Sequence, residues 1–147
     1  MVSFVQAGRI RIAVSASGPG LDAPVDFRFG RCPYFVIVDV ENGVIKSFEV
    51  IQNPAMSAFS GAGIQAAQLV ANKGVNVVIT GNMGPNAYGV LSSAGIQIVT
   101  ATPGITVREA VQKYLNGELK PLTGPGPWGF GRGRGMGRGW GRRFGTW

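Results

Sequence analysis

The feature that most constrains this chain is an alternation of short β-branched runs with helix-forming segments, punctuated by glycine and proline. ValAsnValValIleThr at 75–80 and IleGlnIleVal at 96–99 have the composition of buried strands. Pro85 suits a first helical position and Gly95 the position just past a helix end. The stretch 85–94 is therefore expected to be helical, with Ala87, Val90, Leu91 and Ala94 on one face. A further helix over 63–73 stops at Gly74. The last helix opens on Thr106-Val-Arg-Glu109, a capping-box pattern, and would bury Val107, Ala110, Val111, Tyr114 and Leu115 before Gly117. Upstream, 10–14, 35–40 and 44–51 are strand candidates, the last two joined through Asn42-Gly43, the strongest short hairpin signal.

The order is thus strand, strand, strand, helix, strand, helix, strand, helix. A hairpin followed by right-handed βαβ units implies an α/β fold, a mixed five-stranded sheet with helices on both faces. This is the order of elements in ribonuclease-H-like folds. Three regions are expected: a flexible N-terminus at 1–8, the α/β domain at 9–120, and a disordered Gly/Arg/Trp-rich tail at 121–147.

Charge separates body from tail. The 147 residues carry a net charge of +7, yet residues 124–147 hold 5 Arg, no acid, 10 of the 24 glycines and all three tryptophans. The body is left at +2. No stretch approaches the roughly 20 apolar residues of a membrane span, and the start of the chain lacks the layout of a signal peptide. No membrane association and a cytoplasmic location are expected, which suits one unpaired cysteine.

The absence of histidine excludes a Ser-His-Asp triad and His-based zinc hydrolysis, and a single cysteine excludes an internal disulfide or a tetrathiolate zinc site. Clustered carboxylates for two-metal nuclease chemistry are not evident. Asp22 and Asp26 lie in the loop after the first strand, Asp39 and Glu41 flank a hairpin turn, and Glu49 is farther along. Gly61-Ala-Gly63-Ile-Gln-Ala66 fits a dinucleotide fingerprint on paper, but about nine loop residues separate it from the preceding strand and no acid follows at the required distance. A non-enzymatic protein is expected.

Ligands of open α/β sheets gather at the carboxyl ends of the parallel strands. The loops expected there are Ser15–Gly20, Ser60-Gly-Ala-Gly63, Gly81-Asn-Met-Gly84 and Thr102-Pro-Gly104, and the last three lead into helix N-termini that favour an anion. The alternative is that these glycines only make turns. The densest constellation is Phe27-Arg-Phe-Gly-Arg-Cys-Pro-Tyr-Phe35. Arg28 and Arg31 suit an anionic ligand, and Cys32 offers either a soft thiolate to a metal or a buried, inert core thiol. Met56 and Met83 are further soft donors, or packing.

These motifs resemble those of the dinitrogenase iron–molybdenum cofactor biosynthesis family. The likeness is carried by PheGlyArgCysProTyrPhe at 29–35, Asn53-Pro54, GlyAlaGlyIleGlnAlaAla at 61–67, GlyAsnMetGlyProAsnAla at 81–87 and TyrLeuAsnGlyGluLeu at 114–119, and spans about residues 9–120. The resemblance implies a ribonuclease-H-like fold and a protein that binds or carries an iron–sulfur or molybdenum-containing metal–sulfur cluster, or its precursor, during cofactor assembly. It points to Arg28, Gly30, Arg31, Ser60, Gly61, Gly63, Asn82, Met83 and Gly84 as cofactor-binding and to Cys32 as the metal ligand. Many relatives place histidine just before PheGlyArg and just before the glycine opening the first helix; here Arg28 and Ser60 stand there. The implied partners are cofactor-assembly or acceptor proteins and a second copy that would pool two Cys32 thiols. The tail supports an alternative, a nucleic-acid or polyanion-binding module, since arginines contact phosphates and aromatics stack on bases.

Overall fold

The computed structural model describes residues 8–54, 61–102 and 104–122. Its strands are β1 (Arg9–Ala16), β2 (Tyr34–Glu41), β3 (Val44–Gln52), β4 (Val77–Thr80), β5 (Gln97–Thr100) and β6 (Lys120–Pro121). Its helices are α1 (Ala62–Asn72), α2 (Pro85–Ser93) and α3 (Val107–Leu115). They form one mixed sheet of order β3-β2-β1-β4-β5-β6. β1, β4 and β5 are parallel neighbours, and β2 and β3 are antiparallel. Between Glu41 and Val44 the chain turns at Asn42 with φ 53° and Gly43 with φ 80°, the paired positive angles that match the right-handed twist of a hairpin.

The sheet has six strands rather than five. β6 is only two residues long and contains Pro121, which has no N–H to donate, so it is confined to an edge.

Alternation along each strand sends side chains to two cores. On one face α1 and α2 pack Ala66, Ala67, Val70, Ala87 and Leu91 against Ala13, Phe35, Ile37, Val78 and Ile98. On the other, α3 packs Val107, Ala110 and Val111 against Ile12, Val14, Val77, Ile79 and Val99. Phe29 and Phe35 pack with ring centroids 5.2 Å apart and planes tilted by 53°. Each fully buried Val, Leu, Ile or Phe among them contributes about 1.5–3 kcal/mol. The apolar face of α2 differs in one position from its sequence pattern. Ala87 and Leu91 are buried, but Ala94 lies past the last helical turn and is exposed. The half-buried Tyr88 packs on this core instead.

β1, β3, β4 and β5 all end at one edge of the sheet, so the loops that follow them converge there. No helix among the described residues is long and apolar enough to cross a membrane.

Candidate functional site

At that edge, on the α1/α2 face, residues 27–31 and the N-terminal ends of α1 and α2 enclose a cavity of about 570 Å³. It is lined by Phe27, Arg28, Phe29, Gly30 and Arg31, by Gly61, Ala62, Gly63 and Ile64, and by Asn82, Met83, Gly84, Pro85, Asn86 and Ala87. Eight of the ten expected site residues therefore share one cavity. Ser60 lies outside the described residues, as do Met56 and the 123–147 tail.

Close backbone approach builds these walls. A Cβ on Gly30 would lie 3.1 Å from both Cα and N of Gly63, and one on Gly63 would lie 3.4 Å from Cβ of Ala87. The 30–31 loop and α1 thus meet where a side chain on Gly30 would press on the helix backbone, while α2 packs closely on α1 at Gly63. Gly81 allows a similar close approach to the 27–31 segment, because a Cβ there would lie 2.7 Å from Cα of Phe27. A parallel bridge between Arg28 and Asn82 ties these two segments. Asn53 fastens the loop from below. Its buried Nδ2 donates to the carbonyls of Cys32 at 2.8 Å and Gly30 at 3.2 Å. Asn53 was legible only as part of a motif. The physical signal for its role is a polar residue directly after a strand and before a proline.

The helix ends differ. Neither α1, capped by Gly61, nor α2, capped by Gly84, has a side-chain cap. The first-turn N–H groups of Ala62, Gly63, Ile64, Asn86 and Ala87 have no acceptor among the described residues. They sit on the cavity wall, where unpaired amides and the helix dipole favour an anion. α3 is closed. Val107 N–H donates to Ala23 O, Arg108 N–H to Leu21 O, and Glu109 N–H to Thr106 Oγ1, while Glu109 Oε1 accepts from Thr106 N–H. The expected rim of three anion-favouring termini is therefore two. The third lies on the opposite face, where its own cap and the 21–23 loop satisfy it.

Two cations line the cavity. Arg28 is 61% exposed and forks onto the buried Asp26, Nε to Oδ1 and NH2 to Oδ2, each at 3.2 Å. Burial works to raise the Asp26 carboxyl, but hydrogen bonds from the Arg28 side chain and N–H, the Arg28 charge and Ser17 bring it below the usual carboxylate range. Bonding to Asp26 and its charge raise Arg28 in turn. Arg31 is exposed at the same wall.

Cys32 does not reach the cavity. It is 0% exposed, and Sγ donates to Phe29 O at 3.3 Å. Burial, reinforced by the Asp26 charge, pushes the thiol up to about 12. Of the two readings of Cys32, this burial and raised pKa match the protonated core thiol, packed in one cluster with Phe29 and Phe35. Met83 lines the cavity floor at 1% exposure. Among the described residues no three His, Cys, Asp or Glu side chains gather to hold a metal ion. The carboxylates instead pair separately with cations, Asp22 with Arg108, Asp39 with Arg11 and Glu49 with Lys73.

The chain is similar to several known proteins. A protein of Methanocaldococcus jannaschii is 42% identical over 92 residues, covering 63% of this chain and 77% of the relative. The apo form of the orange protein from Desulfovibrio gigas is 44% identical with a TM-score of 0.73, over 79% of this chain and 95% of that one. A NifB-type protein from Thermotoga is 34% identical with a TM-score of 0.67, over 78% of this chain and 94% of that one. The family model for dinitrogenase iron–molybdenum cofactor proteins matches residues 8–117, from β1 through α3. With fold, motifs and this match in agreement, the chain belongs to the dinitrogenase iron–molybdenum cofactor family.

Proposed function

We propose that this protein binds and carries, without catalysing a reaction, an anionic metal–sulfur cluster of the iron–molybdenum cofactor type or a precursor of it. The carrying observation is the cavity itself, in which two helix N-termini without side-chain caps and two arginines face one space, with no acidic side chain among the described residues of its lining. Backbone N–H groups and guanidinium groups suit the sulfides of such a cluster as hydrogen-bond and charge partners. The apolar remainder, from Phe27, Ile64 and Pro85, suits a large polarizable cargo better than a strongly hydrated oxyanion. With Cys32 buried and protonated, the cargo is held by charge and amides rather than by a thiolate of this chain. Membership of the family supports the cargo class.

Such a carrier receives its cluster from assembly proteins and passes it to an acceptor, so the loops around the cavity mouth are the surface they meet. Anaerobic reconstitution with iron, molybdate and sulfide tests the reading. The expected result is a charge-transfer chromophore that stays with the protein through desalting, with iron or molybdenum in the coloured fraction. Colourless, metal-free protein under those conditions overturns it.

A further inference from the structure

Behind the cation at the cavity mouth lies a buried anion, and none of the described residues lining the cavity is acidic. Asp26 is only 6% exposed, yet both carboxylate oxygens are used. Oδ1 accepts from Arg28 N–H at 2.8 Å and from Arg28 Nε at 3.2 Å. Oδ2 accepts from Arg28 NH2 and Ser17 Oγ, each at 3.2 Å. Its backbone is anchored as well. Asp26 N–H donates to Ser15 O, and Asp26 O accepts from Ser15 Oγ, itself 2.8 Å from Thr80 Oγ1 at the end of β4. A carboxylate so enclosed persists as an anion only because it is paired.

We propose that Asp26 is the release element of the cargo site: its carboxylate positions Arg28 at the cavity mouth and competes with bound cargo for that guanidinium. The inference rests on the reading of the cavity as a cargo site. An anionic cluster drawn by free amides and an unopposed arginine would be held tightly, whereas a carrier has to give its cargo up. A fixed internal anion lowers the attraction without occupying the cavity. It also keeps the guanidinium in place when the cavity is empty, because Nε and NH2 of Arg28 donate to its two oxygens while the Arg28 backbone is tied through its N–H and the Asn82 bridge. Asp26 is a positioning residue and touches no cargo.

The sign of the effect separates this role from a merely structural one, because loss of a structural contact loosens cargo and loss of a competitor tightens it. The full chain is reconstituted anaerobically with iron, molybdate and sulfide, a chelator is added, and the decay of the charge-transfer absorbance is followed. Asp26→Asn keeps an acceptor for Arg28 N–H and deletes the charge. It is expected to slow release about tenfold at low ionic strength, the size of one unit charge removed near a surface site. The difference should shrink as added salt shortens the screening length. Asp26→Ser, also uncharged and able to accept that N–H, serves if the asparagine variant does not fold, with the same slowing expected. Release at the wild-type rate or faster overturns the proposal while leaving the cargo reading intact. A wild-type protein that takes up no colour overturns both.

Discussion

Alkylation of Cys32 distinguishes a core thiol from a metal ligand before any cargo is added. The perturbation is iodoacetamide at about pH 8, where only the thiolate reacts. An ordinary thiol with a pKa near 8.5 is roughly one quarter thiolate at that pH. The Cys32 thiol, pushed up to about 12 chiefly by burial, is thiolate about once in 10⁴ molecules. Ionisation alone therefore slows labelling by roughly 10³-fold, and full burial slows it further because the reagent has to await local opening. Intact-mass measurement of the labelled fraction over time, native and in denaturant, gives the ratio directly. A native rate at least 10³-fold below the denatured rate, as an order of magnitude, is expected. A native rate within about tenfold of the denatured one would refute the reasoning, since it requires an exposed and ionised sulfur.

Three other outcomes follow from the same geometry. Gly30→Ala places a methyl 3.1 Å from the α1 backbone at Gly63, so the loop or helix has to shift, with an expected loss of about 1–3 kcal/mol in urea unfolding and weaker cargo retention. Thr106→Ala removes one half of the α3 capping box and should cost about 1 kcal/mol while leaving cargo binding unchanged, because that helix end faces away from the cavity. The raised Cys32 pKa also fixes a pH dependence. Its contribution to stability is fully present below the unfolded thiol pKa near 8.5 and is lost as pH rises toward about 12, so the urea midpoint should fall over that window and fall less in Cys32→Ala. Burial raises Tyr114 too and adds a loss at higher pH, which the comparison of the two proteins removes.

The elements specified by local chemistry were legible in the sequence. Asn42-Gly43 forces a tight hairpin by its backbone angles, and Thr106 with Glu109 closes a helix end through contacts three residues apart. Pro85 and Gly95 bracket α2 for equally local reasons. The residues around the cavity were legible as a set because glycine-rich loops after parallel strands converge at one sheet edge. What local pattern does not carry is the face on which an element lies. α3 shares the sequence features of the other two helices, but it packs on the far side of the sheet. The inward turn of Cys32 depends on Asn53, 21 residues away, gripping the carbonyls of Gly30 and Cys32. Asp26 stood out as a carboxylate, but its pairing with Arg28 two residues on is an Asx-type turn that its spacing permitted and did not require. β6 was hidden because two residues containing a proline carry no strand signature.

The central claim is that charge and backbone amides, not a thiolate, hold the cargo. Cluster retention after anaerobic reconstitution with iron, molybdate and sulfide, compared across wild type, Cys32→Ser and Arg28→Glu, tests it most directly. The account predicts that Cys32→Ser keeps the charge-transfer band through desalting, whereas Arg28→Glu, which reverses the charge at the cavity mouth, loses it. A colourless Cys32→Ser protein beside a fully coloured Arg28→Glu protein would contradict the account.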